Sequence, residues 1–174
     1  MGFGEINGTD TFEIVDERQM RASAGLMFLL GLVAFINAFL LQRFIVVPYI
    51  SGFLLLNFII GLFINSKYAP TMILAGFITR KQSKLPIGAI QKKFAWSLGL
   101  GMASLIFVLS IFLQTNILFF ESVCFWCIMC LVILFLETAF GICLGCKLYF
   151  LAIKLGLKKE PKVKPNCMGD SCEV

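Results

Sequence analysis

Four stretches of this chain are apolar for long enough to cross a lipid bilayer, which leaves few folds open. A helix rises about 1.5 Å per residue, so about 20 apolar residues cover the hydrocarbon. The stretches are roughly Ser23–Leu41, Phe44–Ile64, Phe94–Leu113 and Val123–Ala152. The last is longer than the bilayer requires, so its ends must tilt or leave the hydrocarbon. Pro48 falls in the first turns of the second stretch, where proline is tolerated. Composition agrees: 59% of residues are hydrophobic, against roughly 45–50% in soluble domains. The expected fold is all-α, an integral membrane four-helix bundle.

The basic residues give an orientation. Of 15 Lys and Arg, only Arg43 lies in the two short turns, Gln42-Arg43 and Thr115–Ser122. The others flank the opposite end: Arg18 and Arg21, then Lys67 to Lys93, then Lys147 to Lys164. Short loops rich in Lys and Arg stay in the cytoplasm, so both termini are expected there. The net charge of +5 is thereby explained by topology, and nucleic acid is not needed as a partner. The lipid bilayer is the expected environment, a bacterial inner membrane. Residues 1–22 read as a cytoplasmic N-terminal segment, 23–153 as the four-span domain and 154–174 as a mobile cytoplasmic tail.

Residues 1–21 are polar and acidic-leaning, unlike a cleavable signal. Met1-Gly2 resembles a myristoylation start, but Ile6 stands where Ser or Thr is needed. Between spans two and three, Pro70–Thr79 is apolar but too short to span. It reads as an interfacial or re-entrant helix ended by Arg80-Lys81.

The chain has no histidine, which removes His-based catalysis, His-ligated haem and the common His-containing zinc sites. Thiols and carboxylates remain. All seven cysteines lie beyond residue 123. Cys124, Cys127 and Cys130 open span four, Cys143 and Cys146 lie near its inner end, and Cys167 and Cys172 are in the tail. On one continuous helix Cys124 and Cys146 would be on the order of 33 Å apart, about one hydrocarbon thickness.

The outer thiols would then sit at a helix N-terminus, where unpaired N–H groups favour thiolate. The inner pair would sit toward a C-terminus that opposes it, with Lys147 as an offset. Cys146, closer to water and Lys147, is then expected to meet the tail or a partner first, and Cys143, deeper and nearer Glu137, to act as the resolving thiol. Closing Cys143–Cys146 would need local distortion, eased by Gly145, because side chains three apart on a helix are about 5–6 Å apart at Cβ. The simpler reading is that buried Cys is a small hydrophobe. Two Cys-x-x-Cys units plus a tail pair fit that reading poorly. The outer triplet also echoes part of an iron–sulfur motif, without its fourth ligand and proline. No metal is expected.

Glu137 is the charged residue near the middle of a span, and intramembrane acids usually face the bundle interior. Seven residues separate it from Cys130, so the two share a face. It reads either as a proton carrier for thiol chemistry or transport, or as a neutral acid bonded to Asn37 or Asn57. Gly141 and Gly145 form a Gly-x-x-x-Gly pair that lets another helix approach.

Glu137-Thr-Ala-Phe140-Gly141-Ile-Cys143-Leu-Gly145-Cys146-Lys147-Leu-Tyr149 resembles a bacterial family of four-span membrane proteins, domain of unknown function 4395. That family shows a similar Cys-Leu-Gly-Cys run and a tail-borne cysteine pair. Weaker echoes are Asp16-Glu17-Arg18, Ala69-Pro70-Thr71 and Lys92-Lys93-Phe94-Ala95. The outer triplet gains nothing from the resemblance, and the family's tail pair is usually closer together than Cys167 and Cys172. The resemblance implies membership in a thiol-rich membrane group linked to sulfur metabolism.

Three functions follow from these readings. One is a thiol–disulfide or persulfide relay using Cys143, Cys146, Glu137, the tail pair and the outer triplet, with a cytoplasmic thioredoxin-like or sulfurtransferase partner. Its weak point is the gap of about 20 Å along the helix from Cys130 to Cys143. The others are transport of a small sulfur compound, and an accessory subunit of a membrane complex whose cysteines are structural or bind metal. No cofactor is expected; a quinone is left open, and no sequence feature supports it.

Overall fold

A computed structural model describes Phe3, Gly4 and residues 13–155. Cys167 and Cys172 lie outside the described residues, as does most of the tail. A short strand β1 (Ile14–Asp16) leads into α1 (Glu17–Phe39). Next come α2 (Val46–Ile59), which continues as one π-helical turn over Ile60–Ile64, and α3 (Pro70–Thr79). Strand β2 (Pro86–Gly88) precedes α4 (Ala89–Leu113), α5 (Phe120–Phe140) and α6 (Leu144–Lys154).

Four of these helices are long and apolar enough to cross a membrane: Glu17–Phe39, Val46–Ile64, Ala89–Leu113 and Ile117–Phe140. They form the all-α four-helix membrane bundle that the apolar runs imply. Two helices begin outside their apolar runs. Asp16 caps α1, its Oδ1 accepting the Arg18 N–H at 3.1 Å, so helix starts six residues before Ser23. Helix α4 starts at Ala89, five residues before Phe94. Hydropathy marks the part of a helix that suits hydrocarbon, while caps and strand pairing decide where the helix begins.

The strands tie these two starts together. β1 and β2 pair antiparallel, Ile14 opposite Gly88 and Asp16 opposite Pro86. Asp16 Oδ1 also accepts the Leu85 N–H at 3.2 Å. The helices carrying Arg21 and Lys92 are thus held in register at one end of the bundle.

Within the bundle α1 packs on α5 and α2 on α4, both antiparallel. Phe28 meets Phe135, and a Cβ at Gly31 would touch Leu131. Phe58 meets Trp96 edge-on at 5.4 Å between ring centroids. Most of the buried apolar residues fall into two clusters. One, around Phe3, Met20, Phe58 and Trp96, lies at the strand end. The other, around Val47, Ile106, Val123 and Cys127, lies at the opposite end.

Helix α3 packs on the first turns of α1 and turns Ile73, Leu74, Phe77 and Ile78 outward. Its first backbone donor, after Pro70, is satisfied by Asn57 of α2, whose Oδ1 accepts the Thr71 N–H at 3.0 Å and the Thr71 hydroxyl at 3.0 Å. Ser23 and Thr71 share a hydrogen bond of 2.7 Å. These polar groups are fully buried and satisfied by one another, as burial in an apolar interior requires.

A candidate thiol site at a helix break

Span four is not one helix. It stops at Phe140, and Gly141 follows in the left-handed conformation with φ 67°. A left-handed residue after the last turn is a common helix end, and glycine adopts it without the cost of a Cβ. The Gly141 and Ile142 N–H groups return to the Leu136 carbonyl, the latter at 3.1 Å. The Arg21 guanidinium occupies the space a Cβ at position 141 would need, placing positive charge beside the end of α5, where the backbone dipole is negative. Gly141 therefore does not serve as a helix-approach surface.

The break changes the chemistry of the inner pair. The chain restarts as α6 with Cys143 at its N-cap. Cys143 Sγ accepts the Cys146 N–H at 3.3 Å, the position a Ser or Asp cap would fill. The expectation that the helix dipole opposes a thiolate here is overturned. On a continuous helix Cys143 would meet the C-terminal end of the dipole; after the break it meets an N-terminal end. The Cys143 thiol is held below its ordinary pKa, chiefly by the hydrogen bond from the Cys146 thiol and also by the Lys92 ammonium, against the effect of burial. Cys146 is pushed up, because donating to Cys143 and burial both favour its protonated form.

Helix α6 is held by close backbone contact. A Cβ on Gly145 would lie 2.5 Å from the Ala95 Cβ and 2.6 Å from its Cα. One turn on, Tyr149 meets Phe94 at 5.6 Å. Helix α6 thus packs on the N-terminal part of α4 through Gly145 and Tyr149. The expectation of a close helix approach holds at Gly145. Both thiols are buried, at 8% and 9% exposure, and Lys147 faces outward.

Glu137 turns into the bundle and meets Lys92 of α4, Nζ to Oε1 2.6 Å. Neither expected amide is its partner. Asn37 donates to the Val33 carbonyl at 2.8 Å, and Asn57 is occupied by Thr71. Both charges sit at helix ends whose dipoles disfavour them, Lys92 in the first turn of α4 and Glu137 in the last turn of α5. Each holds the other there. Lys92 was legible in the sequence only as one more basic residue beside a span. The missed signal is its spacing: it stands four residues before Trp96, on the face of α4 that also buries Ala103.

The outer triplet lies on α5. A 3-10 turn over Ile117–Phe119 precedes this helix, so Cys124 and Cys127 stand beyond its first turn, away from the free N–H groups expected to favour their thiolates. Cys124 and Cys127 are buried and Cys130 is partly so. Between the two apolar clusters lies a cavity of about 270 Å³. Its wall includes Cys127, Cys130, Glu137 and Cys143. Cys130 and Glu137 share the face expected of them. The break therefore brings one inner thiol and two outer ones onto a single cavity.

No curated protein and no solved structure matches this chain. A family model described as domain of unknown function (DUF4395) matches residues 15–154, from the strand before α1 to the last residue of α6. The chain belongs to the DUF4395 family of proteins.

Proposed function

We propose that this protein is a membrane thiol–disulfide or persulfide relay, with Cys143 as the attacking thiol and Cys146 as the resolving one. The observation that carries this reading is Cys143 at the N-cap of α6, with its sulfur bonded by the Cys146 N–H. A helix N-terminus stabilises thiolate, and the thiolate is the nucleophile. This order reverses the one suggested by Lys147 and a continuous helix, in which Cys146 attacks first.

In the exchange, the Cys143 thiolate attacks a partner disulfide, an S–S bond forms, and one partner thiolate leaves. Cys146 gives up its proton and attacks Cys143 Sγ. The intramolecular disulfide forms and the second partner thiol departs, taking that proton. The steps run backward when the partner arrives as a dithiol. With a persulfide, Cys143 takes the outer sulfur and the partner leaves as a thiolate. The basic-residue distribution supports a site on the cytoplasmic side of a bacterial inner membrane, within reach of a thioredoxin-like or sulfurtransferase partner. Both thiols are buried, so a protein partner reaches them when α6 lifts from α4.

The test is trapping in cells. Cys146→Ser should accumulate a mixed disulfide on Cys143, because the resolving thiol is gone. Cys143→Ser should accumulate none. If the Cys143→Ser variant traps the partner instead, the assigned order is wrong. If both variants retain full activity, the thiols are packing residues and the relay reading falls.

A further inference from the structure

We infer that the bundle cavity binds a membrane-dissolved quinone, which takes the electrons of the Cys143–Cys146 dithiol. The inference rests on the relay reading and names its acceptor. The cavity lies among the spans, and its wall is almost wholly apolar, with Met27, Leu54, Phe58 and Trp96 among its residues. Polar side chains reach it at Ser51 and Glu137, and thiols at Cys127, Cys130 and Cys143. A charged, water-soluble oxidant has no favourable contact with such a wall. A planar uncharged ring with an apolar tail matches it, its reacting carbon at Cys143 and its body among the aromatics. The volume of about 270 Å³ is close to the lower bound of about 300 Å³ for small-molecule sites, enough for a ring and the start of a tail.

The position of Cys143 makes the transfer local. It lies on the cavity wall and carries the stabilised thiolate, while Cys146 waits behind it one hydrogen bond away. The Cys143 thiolate adds to a ring carbon. Cys146 then attacks Cys143 Sγ, the S–S bond forms, and the S–C bond breaks with its electron pair passing to the ring. The ring leaves as the quinol. Its two oxygens take the proton from Cys146 and the one released when Cys143 ionised. The dithiol is oxidised by two electrons and the quinone reduced by two. No other co-reactant is needed.

The test uses the full-length protein, reduced, in lipid nanodiscs. A short-tailed ubiquinone is added; quinol is followed by ultraviolet absorbance and the disulfide by differential alkylation and mass spectrometry. One quinol per Cys143–Cys146 disulfide is expected. Ala103→Phe, which fills the cavity away from Cys143 and Cys146, should slow quinone-dependent oxidation at least tenfold. An equal rate in that variant would overturn the cavity as the site. If it does not fold, a photoreactive quinone on the wild-type protein decides. Labels on cavity residues of α4 and α5 support the inference, and labels confined to the lipid-facing surface overturn it. Oxidation by the apolar disulfide dithiodipyridine but not by quinone leaves the relay standing and removes the quinone. Oxidation by neither removes both.

Discussion

Breaking the Lys92–Glu137 pair should cost far more than deleting it. At the observed 2.6 Å, two unit charges attract by about 6 kcal/mol for an effective dielectric near 20. Desolvation of both groups offsets most of this. Removing one partner leaves the offset without the attraction, and buried pairs broken this way lose about 3–5 kcal/mol. The two single variants should differ. The Lys92 side chain is 5% exposed and that of Glu137 17%. Glu137→Gln strands the deeper charge and should lie near the top of that range, with Lys92→Met near the bottom. The double variant removes both charges and should fall within about 1 kcal/mol of wild type. The coupling in a double-mutant cycle should therefore be at least about 5 kcal/mol. Unfolding in mixed detergent micelles, followed by circular dichroism across a denaturing-detergent titration, measures all four proteins. Additive costs, with the double variant as weak as the sum of the singles, would refute the claim that these charges hold each other at unfavourable helix ends.

Three further outcomes follow from the same geometry. A small membrane-permeant alkylating reagent should modify Cys143 before Cys146. Because its pKa is lowered, that reactivity should persist to lower pH than for an ordinary thiol, and Cys146→Ala, which leaves no side-chain donor, should move the profile to higher pH; an unmoved profile contradicts the assigned cause. Gly145→Leu should force α6 off Ala95, raising thiol accessibility at Cys146 by tenfold or more and costing roughly 1–3 kcal/mol by overpacking. Unchanged accessibility would show that the contact does not hold the helix. Finally, an impermeant thiol reagent applied outside intact cells should label a cysteine placed at Asn116 and not one placed near the C-terminus, and labelling of the tail from outside would overturn the proposed orientation.

The sequence by itself determined the spans. Four long apolar runs force four helices because hydrocarbon offers the backbone no other hydrogen-bond partner. The shared face of Cys130 and Glu137 was also legible, since it depends only on helical periodicity, and so was the short helix at Pro70–Thr79. The break at Gly141 was not. Ile142 and Cys143 continue the apolar run, so hydropathy passes through the break unchanged, and the glycine reads equally as a packing surface. Which role it takes depends on Arg21, 120 residues earlier in the chain, filling the space beside it. Lys92 shows the same limit. Its charge counts toward orientation wherever it points, and only the α4–α5 packing turns it inward to meet Glu137. The order of attack proposed for Cys143 and Cys146 rests on that tertiary choice, because a thiol's acidity is set by the helix end and the charges that surround it, and in this protein the fold reverses the end that the linear spacing implied.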